Sequence, residues 1–277
     1  MNDSKLYQTT MPETPLGGIR ERLAAVMSHA GPLITVPLTS EILRLPRHLA
    51  AKTLSRWEHQ GWLRRVRRGV YAPVPLDTLA RQQVIADPWI LVPRLFDPAY
   101  IAGWSAAEHW ELTEQIFRSI CVVTGRTVRP RKQTIQSIPF LFRHLAPGKI
   151  FGTRAVWRDG TKVQVSDPHR TIVNMLDEPS IGGGIRHADD CLGAYLDRPD
   201  ADIVQVIAYA DRLGNGAVFK RLGFLLARRS SDERWLAACA ERLTEGNAKL
   251  DPTVPCPRLI RRWRVWVPES WKEQRVS

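Results

Sequence analysis

The hydrophobic pattern changes period at Gly61, and that change limits what this chain can fold into more than any other feature. Before it, Leu49, Thr53 and Trp57, with Ala50 and Leu54 beside them, recur at three- and four-residue spacing, as on the buried face of a helix. After it, WLRRVRRGVYAP interleaves apolar and basic residues around Gly69, as in a two-stranded hairpin with glycine in its turn. The free face of the predicted helix carries Arg47, His48, Lys52, Ser55 and Arg56. The hairpin carries Arg64, Arg65, Arg67 and Arg68. So many cations so close together call for an acidic partner, unless the run is only a solvated surface.

What precedes the helix narrows the choice. IRERLAAVMSHAG (19–31) predicts an amphipathic helix with Ile19, Leu23, Val26 and Met27 inward. TSEILRL predicts a second, short helix capped by Thr39 or Ser40, with Ile42 and Leu43 inward, stopping before Pro46. Pro46 suits the first turn of the third helix, where its missing N–H costs nothing. Three helices and then a basic hairpin is the order of a winged helix-turn-helix. Its third helix enters the major groove, and its wing lies on phosphates or in the minor groove. Cations near phosphates gain affinity by counterion release. Donors near the helix N-terminus, here Arg47, His48 and Lys52, reach base edges. A winged helix kept only for protein contacts is the competing reading.

The chain has 277 residues, enough for two modest domains, and a net charge of +12 that favours a polyanionic partner. The first residues lack a basic segment followed by an apolar run, so no signal peptide is expected. No stretch has the roughly 18 apolar residues of a membrane span. Cys121, Cys191, Cys239 and Cys256 are scattered without metal-ligand spacing, as expected for free thiols in a reducing cytoplasm.

Pro73, Pro75 and Pro88 bracket a short helical piece and mark a break. The predicted layout is therefore a flexible lead at 1–18, a winged helix at 19–78 and a second domain at 79–277. In that domain Trp89–Phe96 reads as a buried helix interrupted by Pro93, and Ser105–Leu112 as another. Strand-like runs follow at 119–125, 134–145, 154–158 and 161–167, then a mostly helical half. Strands followed by helices give an α/β (α+β) fold with a mixed sheet rather than a bundle.

Residues that invite a catalytic or metal reading do not assemble into a set. Gly182-Gly183-Gly184 before a helix resembles a phosphate cradle, but it lacks a preceding apolar strand and a Gly-Lys-Ser/Thr, so a flexible turn is favoured. Asp189 and Asp190, near His187, are adjacent and cannot share one helix face. Asp167 and His169 flank Pro168 as a turn and helix cap would. Ser105 lacks the context of a nucleophile elbow. No catalytic residue, metal or cofactor is predicted. A second basic cluster, GRTVRPRK (125–132), places Arg126, Arg129, Arg131 and Lys132 as further nucleic-acid or partner contacts, and RLIRRWRVWVPESW (258–271) alternates arginine with tryptophan.

RRVRRGVYAPVP, DPWILVPRLFDPAYIAGWSAAEHWELTEQIF, VSDPHRTIVNMLD, GGGIRHADD and YADRLGNGAVFKRLGFLL, in that order, resemble the AbiEi family of antitoxins from type IV toxin–antitoxin, or abortive-infection, systems. The resemblance implies an N-terminal winged helix that represses its own operon at inverted repeats in the promoter. Two protomers would meet on that DNA, from a chain that is monomeric in solution. It also implies a C-terminal domain that counters a co-encoded AbiEii toxin resembling nucleotidyltransferases. The family's DNA-contact positions carry over to Arg47, His48, Lys52, Ser55, Arg56, Arg64, Arg65, Arg67 and Arg68. Relatives often begin the third helix with Ser or Thr, whereas this chain has Pro46. The alternative from another class is a DNA-targeted nuclease or nucleotide transferase with its activity in the second domain.

Overall fold

The chain divides into two units, residues 1–83 and 84–277. The computed structural model describes residues 18–30, 33–74 and 87–271. The expected flexible lead, apart from Gly18, the helical piece after Pro75 and the boundary at 78/79 lie outside the described residues.

In the first unit α1 (Ile19–Ala30), β1 (Ile34–Thr35), α2 (Val36–Ile42) and α3 (Arg47–His59) precede β2 (Leu63–Arg67) and β3 (Val70–Pro73). The sheet order is β1-β3-β2, and both pairings are antiparallel. Leu23, Val26, Ala30, Ile34, Leu54, Trp57, Leu63 and Tyr71 form one buried cluster. Two α1 residues expected inward, Ile19 and Met27, are exposed, because the buried stripe of α1 runs through Leu23, Val26 and Ala30 instead. α2 begins earlier than expected. Its cap is Thr35, whose hydroxyl accepts from the Leu38 N–H at 3.4 Å, while Thr39 lies buried inside the helix. Ser40 does not cap the start either. It closes the other end, donating to the Leu45 carbonyl at 2.6 Å, and the Leu45 N–H returns to the Ser40 carbonyl at 3.0 Å. Arg44, at φ 50°, takes the left-handed position that ends the helix.

The second unit is built on a six-stranded sheet of order β6-β7-β5-β4-β9-β8. Its strands are β4 (Ala99–Ile101), β5 (Ile120–Thr124), β6 (Lys132–Ile135), β7 (Ile138–His144), β8 (Thr153–Arg158) and β9 (Thr161–Ser166). β5 pairs β7 in parallel and β4 pairs β9 in parallel, the rest being antiparallel, so the sheet is mixed. The run expected as one strand at 134–145 is a hairpin. Gln136 and Ser137, at φ 51° and 65°, make the two-residue turn without the Asn-Gly that usually announces it. Pro93 does not interrupt its helix, α4 (Leu91–Phe96), because it sits in the first turn, where its missing N–H would be unpaired anyway. The helix expected at 105–112 is α5 (Gly103–His109).

The helical half comprises α6 (Pro168–Asp177), α7 (Ile185–Leu196), α8 (Ile203–Leu213), α9 (Gly216–Arg229) and α10 (Glu233–Ala240). α6 is buried on nearly every side. The Arg/Trp-rich end folds into a small sheet, β10 (Ala248–Lys249), β12 (Val265–Val267) and β11 (Arg258–Ile260), with Trp263 buried against Gly223. Among the described residues no helix is long and apolar enough to cross a membrane.

The corner from β4 into α5 turns on Gly103, at φ 53°, where an added Cβ would fall on the Ile181 carbonyl. Gly103→Ala should therefore destabilise the second unit by about 2–4 kcal/mol, from left-handed strain plus overpacking. Urea denaturation should report it as a lower midpoint at unchanged slope.

Candidate nucleic-acid interface

The rotation of α3 decides which of its side chains face outward. Ala50, Leu54 and Trp57 are buried, at i, i+4 and i+7. With about 100° of turn per residue, the opposite face carries His48, Lys52, Ser55 and His59. Arg56 and Leu49 lie along one flank of that face. Leu49, expected in the buried stripe, is 39% exposed, because a stripe centred on Ala50 turns its neighbour away. Arg47, three residues before Ala50, starts only about 60° from the buried direction. It reaches solvent from the side of the helix, as an exposed first residue.

Pro46 is the residue before the helix, not within its first turn. Its carbonyl accepts from Leu49 and Ala50 at 2.9 and 3.0 Å, and no side chain caps this end. The positive end of the helix dipole is therefore left to whatever approaches Arg47 and His48.

The wing follows from the register. Leu63 faces Pro73, Arg64 faces Ala72 and Arg65 faces Tyr71; the ladder then skips to Arg67 opposite Val70, with Val66 as the bulge. Gly69, at φ 78°, closes the turn. Arg65, Arg67 and Arg68 are exposed, while Arg64 is half-buried. Arg65 Nη2 donates to the buried Tyr71 hydroxyl at 3.2 Å, and its guanidinium lies 5.6 Å from the ring centroid. That bond holds the Arg65 pKa above its ordinary value. The nine expected contact residues thus belong to one unit, on α3 and the wing. Sequence reasoning missed His59 on the outer face of α3 and Leu49 on its flank. The i, i+4, i+7 spacing of Ala50, Leu54 and Trp57 was the signal that would have found them.

The second basic cluster is partly tied into the fold. Arg126 Nε donates to the Asp97 carbonyl at 2.5 Å. Arg131 donates to the Phe142 carbonyl at 3.1 Å and pairs with Glu178 at 2.5 Å. Arg129 and Lys132 are exposed.

The residues weighed for catalysis have structural partners. The Gly-rich turn ends in two left-handed glycines, Gly183 and Gly184, and the N-terminus of α7 is already held by a carboxylate. Asp251 accepts from the Ile185 N–H at 3.0 Å, and from the Thr253 N–H and hydroxyl at 2.8 and 2.6 Å. Burial pushes the Asp251 carboxyl up, but those bonds outweigh it and hold the group below the usual carboxylate range. His187 Nδ1 lies 2.6 Å from the Gly182 carbonyl and Nε2 2.9 Å from the Thr113 hydroxyl. Asp189 pairs with Arg229 at 2.7 Å. Asp167 caps α6 through the Arg170 N–H at 2.7 Å, and Ser105 accepts from the Cys121 N–H at 3.0 Å. Burial pushes Cys191 and Cys239 up to about 12 and raises Cys121 as well, so these thiols stay protonated near neutral pH. Among the described residues, no group of three His, Cys, Asp or Glu side chains is placed to hold a metal ion.

Residues 38–74, from within α2 past the end of the wing, match the family model described as transcriptional regulator, AbiEi antitoxin. The fold is similar to that in the crystal structure of RV2827C protein from Mycobacterium tuberculosis. The TM-score is 0.59 at 15% sequence identity, over 88% of each chain, a likeness of fold alone. No curated protein matches.

Scaffold and surface in this unit should separate cleanly on mutation. Trp57→Ala should cost about 3–5 kcal/mol, because it opens the core beneath both α3 and the wing. Lys52→Ala with Arg68→Ala should stay within about 0.5 kcal/mol per site, since both side chains are exposed. Thermal denaturation of the two variants provides the comparison.

Proposed function

From a winged-helix segment identified with the AbiEi antitoxin transcriptional regulators, we propose that this chain is the antitoxin of a type IV toxin–antitoxin pair and represses its own operon. One observation carries the DNA-binding half of the reading. Apart from Leu49 on the flank, the residues that face away from the core on α3 and the arginines exposed on the wing are basic or hydrogen-bonding, and they lie on the two elements with which a winged helix meets DNA. In this reading Lys52, His48, Ser55 and Arg56 face base edges and nearby phosphates, with Arg47 on the flanking backbone. Arg64, Arg65, Arg67 and Arg68 neutralise phosphates beside the groove. The operator is an inverted repeat occupied by two protomers, because a small reading head gains specificity by being doubled.

The antitoxin activity is assigned to the second unit by family resemblance. Its partner is a co-encoded nucleotidyltransferase-like toxin in the cytoplasm. Arg129 and Lys132 are candidates for a further nucleic-acid or partner contact, with Arg126 and Arg131 less available because they hold the fold. A regulator rather than an enzyme is supported by the engagement of Asp251, His187, Asp167 and Ser105 in structural hydrogen bonds.

Changing Arg65, Arg67 and Arg68 together to Ala should weaken promoter binding. It should also flatten the slope of log affinity against log salt by up to about 3, close to one unit for each phosphate no longer neutralised. An unchanged slope in a salt titration would remove the wing from the interface. Residues 1–83 and 84–277, expressed separately beside the toxin, test the division of labour. Residues 84–277 should restore at least part of growth, and residues 1–83 should bind the promoter weakly and restore none. Rescue by residues 1–83 alone would mean that neutralisation acts through repression or through DNA.

A further inference from the structure

On the reading that α3 enters a DNA major groove, we infer that Leu49 recognises the 5-methyl group of a thymine in each half of the operator. A lone leucine on an arbitrary surface calls for no explanation. The position of this one does. It is the third residue of α3, within the first turn, where recognition helices touch base edges. It is 39% exposed and lies outside the buried cluster that fixes the helix.

Its neighbours define what it can meet. Lys52 and Thr53 lie one turn further along, and Arg56 two turns further along the same flank. His48 precedes it on the outer face, and Arg47 stands beside the helix start. Leu49 is thus an apolar side chain set among donors that bind phosphates and base edges. Side chains on a helix lean toward its N-terminus, so Leu49 projects over the uncapped first turn rather than back along the helix. The apolar feature on the floor of a major groove is the thymine methyl, since the other groups presented there are donors and acceptors. Burying one methyl against leucine corresponds to about a fourfold gain in affinity. The cations hold the helix in the groove, and the leucine makes one base pair in the half-site distinguishable from its reverse and from a G·C pair.

The experiment is a cycle between protein and DNA, with the full chain and the promoter duplex. Once footprinting has located the operator, each thymine is replaced in turn by deoxyuridine, which removes the methyl and keeps the base pair. At one position in each repeat the unaltered chain should lose about fourfold in affinity. Leu49→Ala should bind the thymine duplex about fourfold more weakly and make no distinction between thymine and deoxyuridine at that position. Its melting temperature should match that of the unaltered chain, because an exposed side chain has been shortened. Specific binding that is indifferent to every deoxyuridine would overturn the inference, and so would a Leu49→Ala variant that keeps the full penalty. The scan with the unaltered chain decides even if the variant folds poorly. Promoter binding no tighter than binding to random duplex would instead remove the repressor reading itself.

Discussion

The burial of Trp57 against Leu54, Leu63 and Tyr71 is the contact on which the reading head depends. It joins the last turn of α3 to both strands of the wing, so one indole sets the rotation of the helix and the place of the hairpin together. With the stripe at Ala50, Leu54 and Trp57, Lys52 and His48 face out and Leu49 stands at the edge. A rotation by one residue, about 100°, would bury Leu49 and turn Lys52 toward the side. The identity of the outward face is therefore a packing result, and its chemistry follows from it.

The turn into α3 is built by hydrogen bonds rather than by a glycine. Ser40 bonds the Leu45 carbonyl, Leu45 bonds back to Ser40, and Arg44 accepts a left-handed backbone between them. Helix-turn-helix corners often place glycine there. Here an arginine takes the conformation, with the Ser40 hydroxyl bridging to the residue that follows. Pro46 then starts the helix without a capping side chain, which leaves its N-terminal dipole facing the surface that Arg47 and His48 present.

The second unit uses its polar residues to hold helices in place. Arg143 on β7 pairs with Asp177 and Glu178 at the end of α6, and Arg221 on α9 donates to the Leu176 carbonyl at 2.7 Å. Asn215 reaches Asp177 from the start of α9 at 2.6 Å. Breaking such a buried pair from one side costs about 3–5 kcal/mol, since the remaining charge is stranded. Asp251 does the corresponding work at the start of α7. Asp167 and Asp189, which suggest chemistry in a linear reading, are here the cap of α6 and the ion-pair partner of Arg229.

The sequence by itself determined the order of helices and hairpin in the first unit, the hairpin turn at Gly69, the end of the third helix before Gly61 and the presence of both strands and helices in the second unit. Those properties are local. They follow from glycine and proline geometry and from the spacing of apolar residues, which neighbours along the chain already specify. Tertiary structure decided the rest. β1 is two residues long and exists because β3 offers it a ladder at Ile34 and Thr35. The run at 134–145 alternates well enough for one strand, and its fold into β6 and β7 is fixed by pairing with each other and by β5 beside them. Ile19, Met27 and Leu49 are as apolar as the residues that are buried. Only the contacts made by Leu23, Val26, Leu54 and Trp57 select which stripe turns inward, because a helix with apolar residues on two adjacent faces satisfies the same periodicity in either rotation.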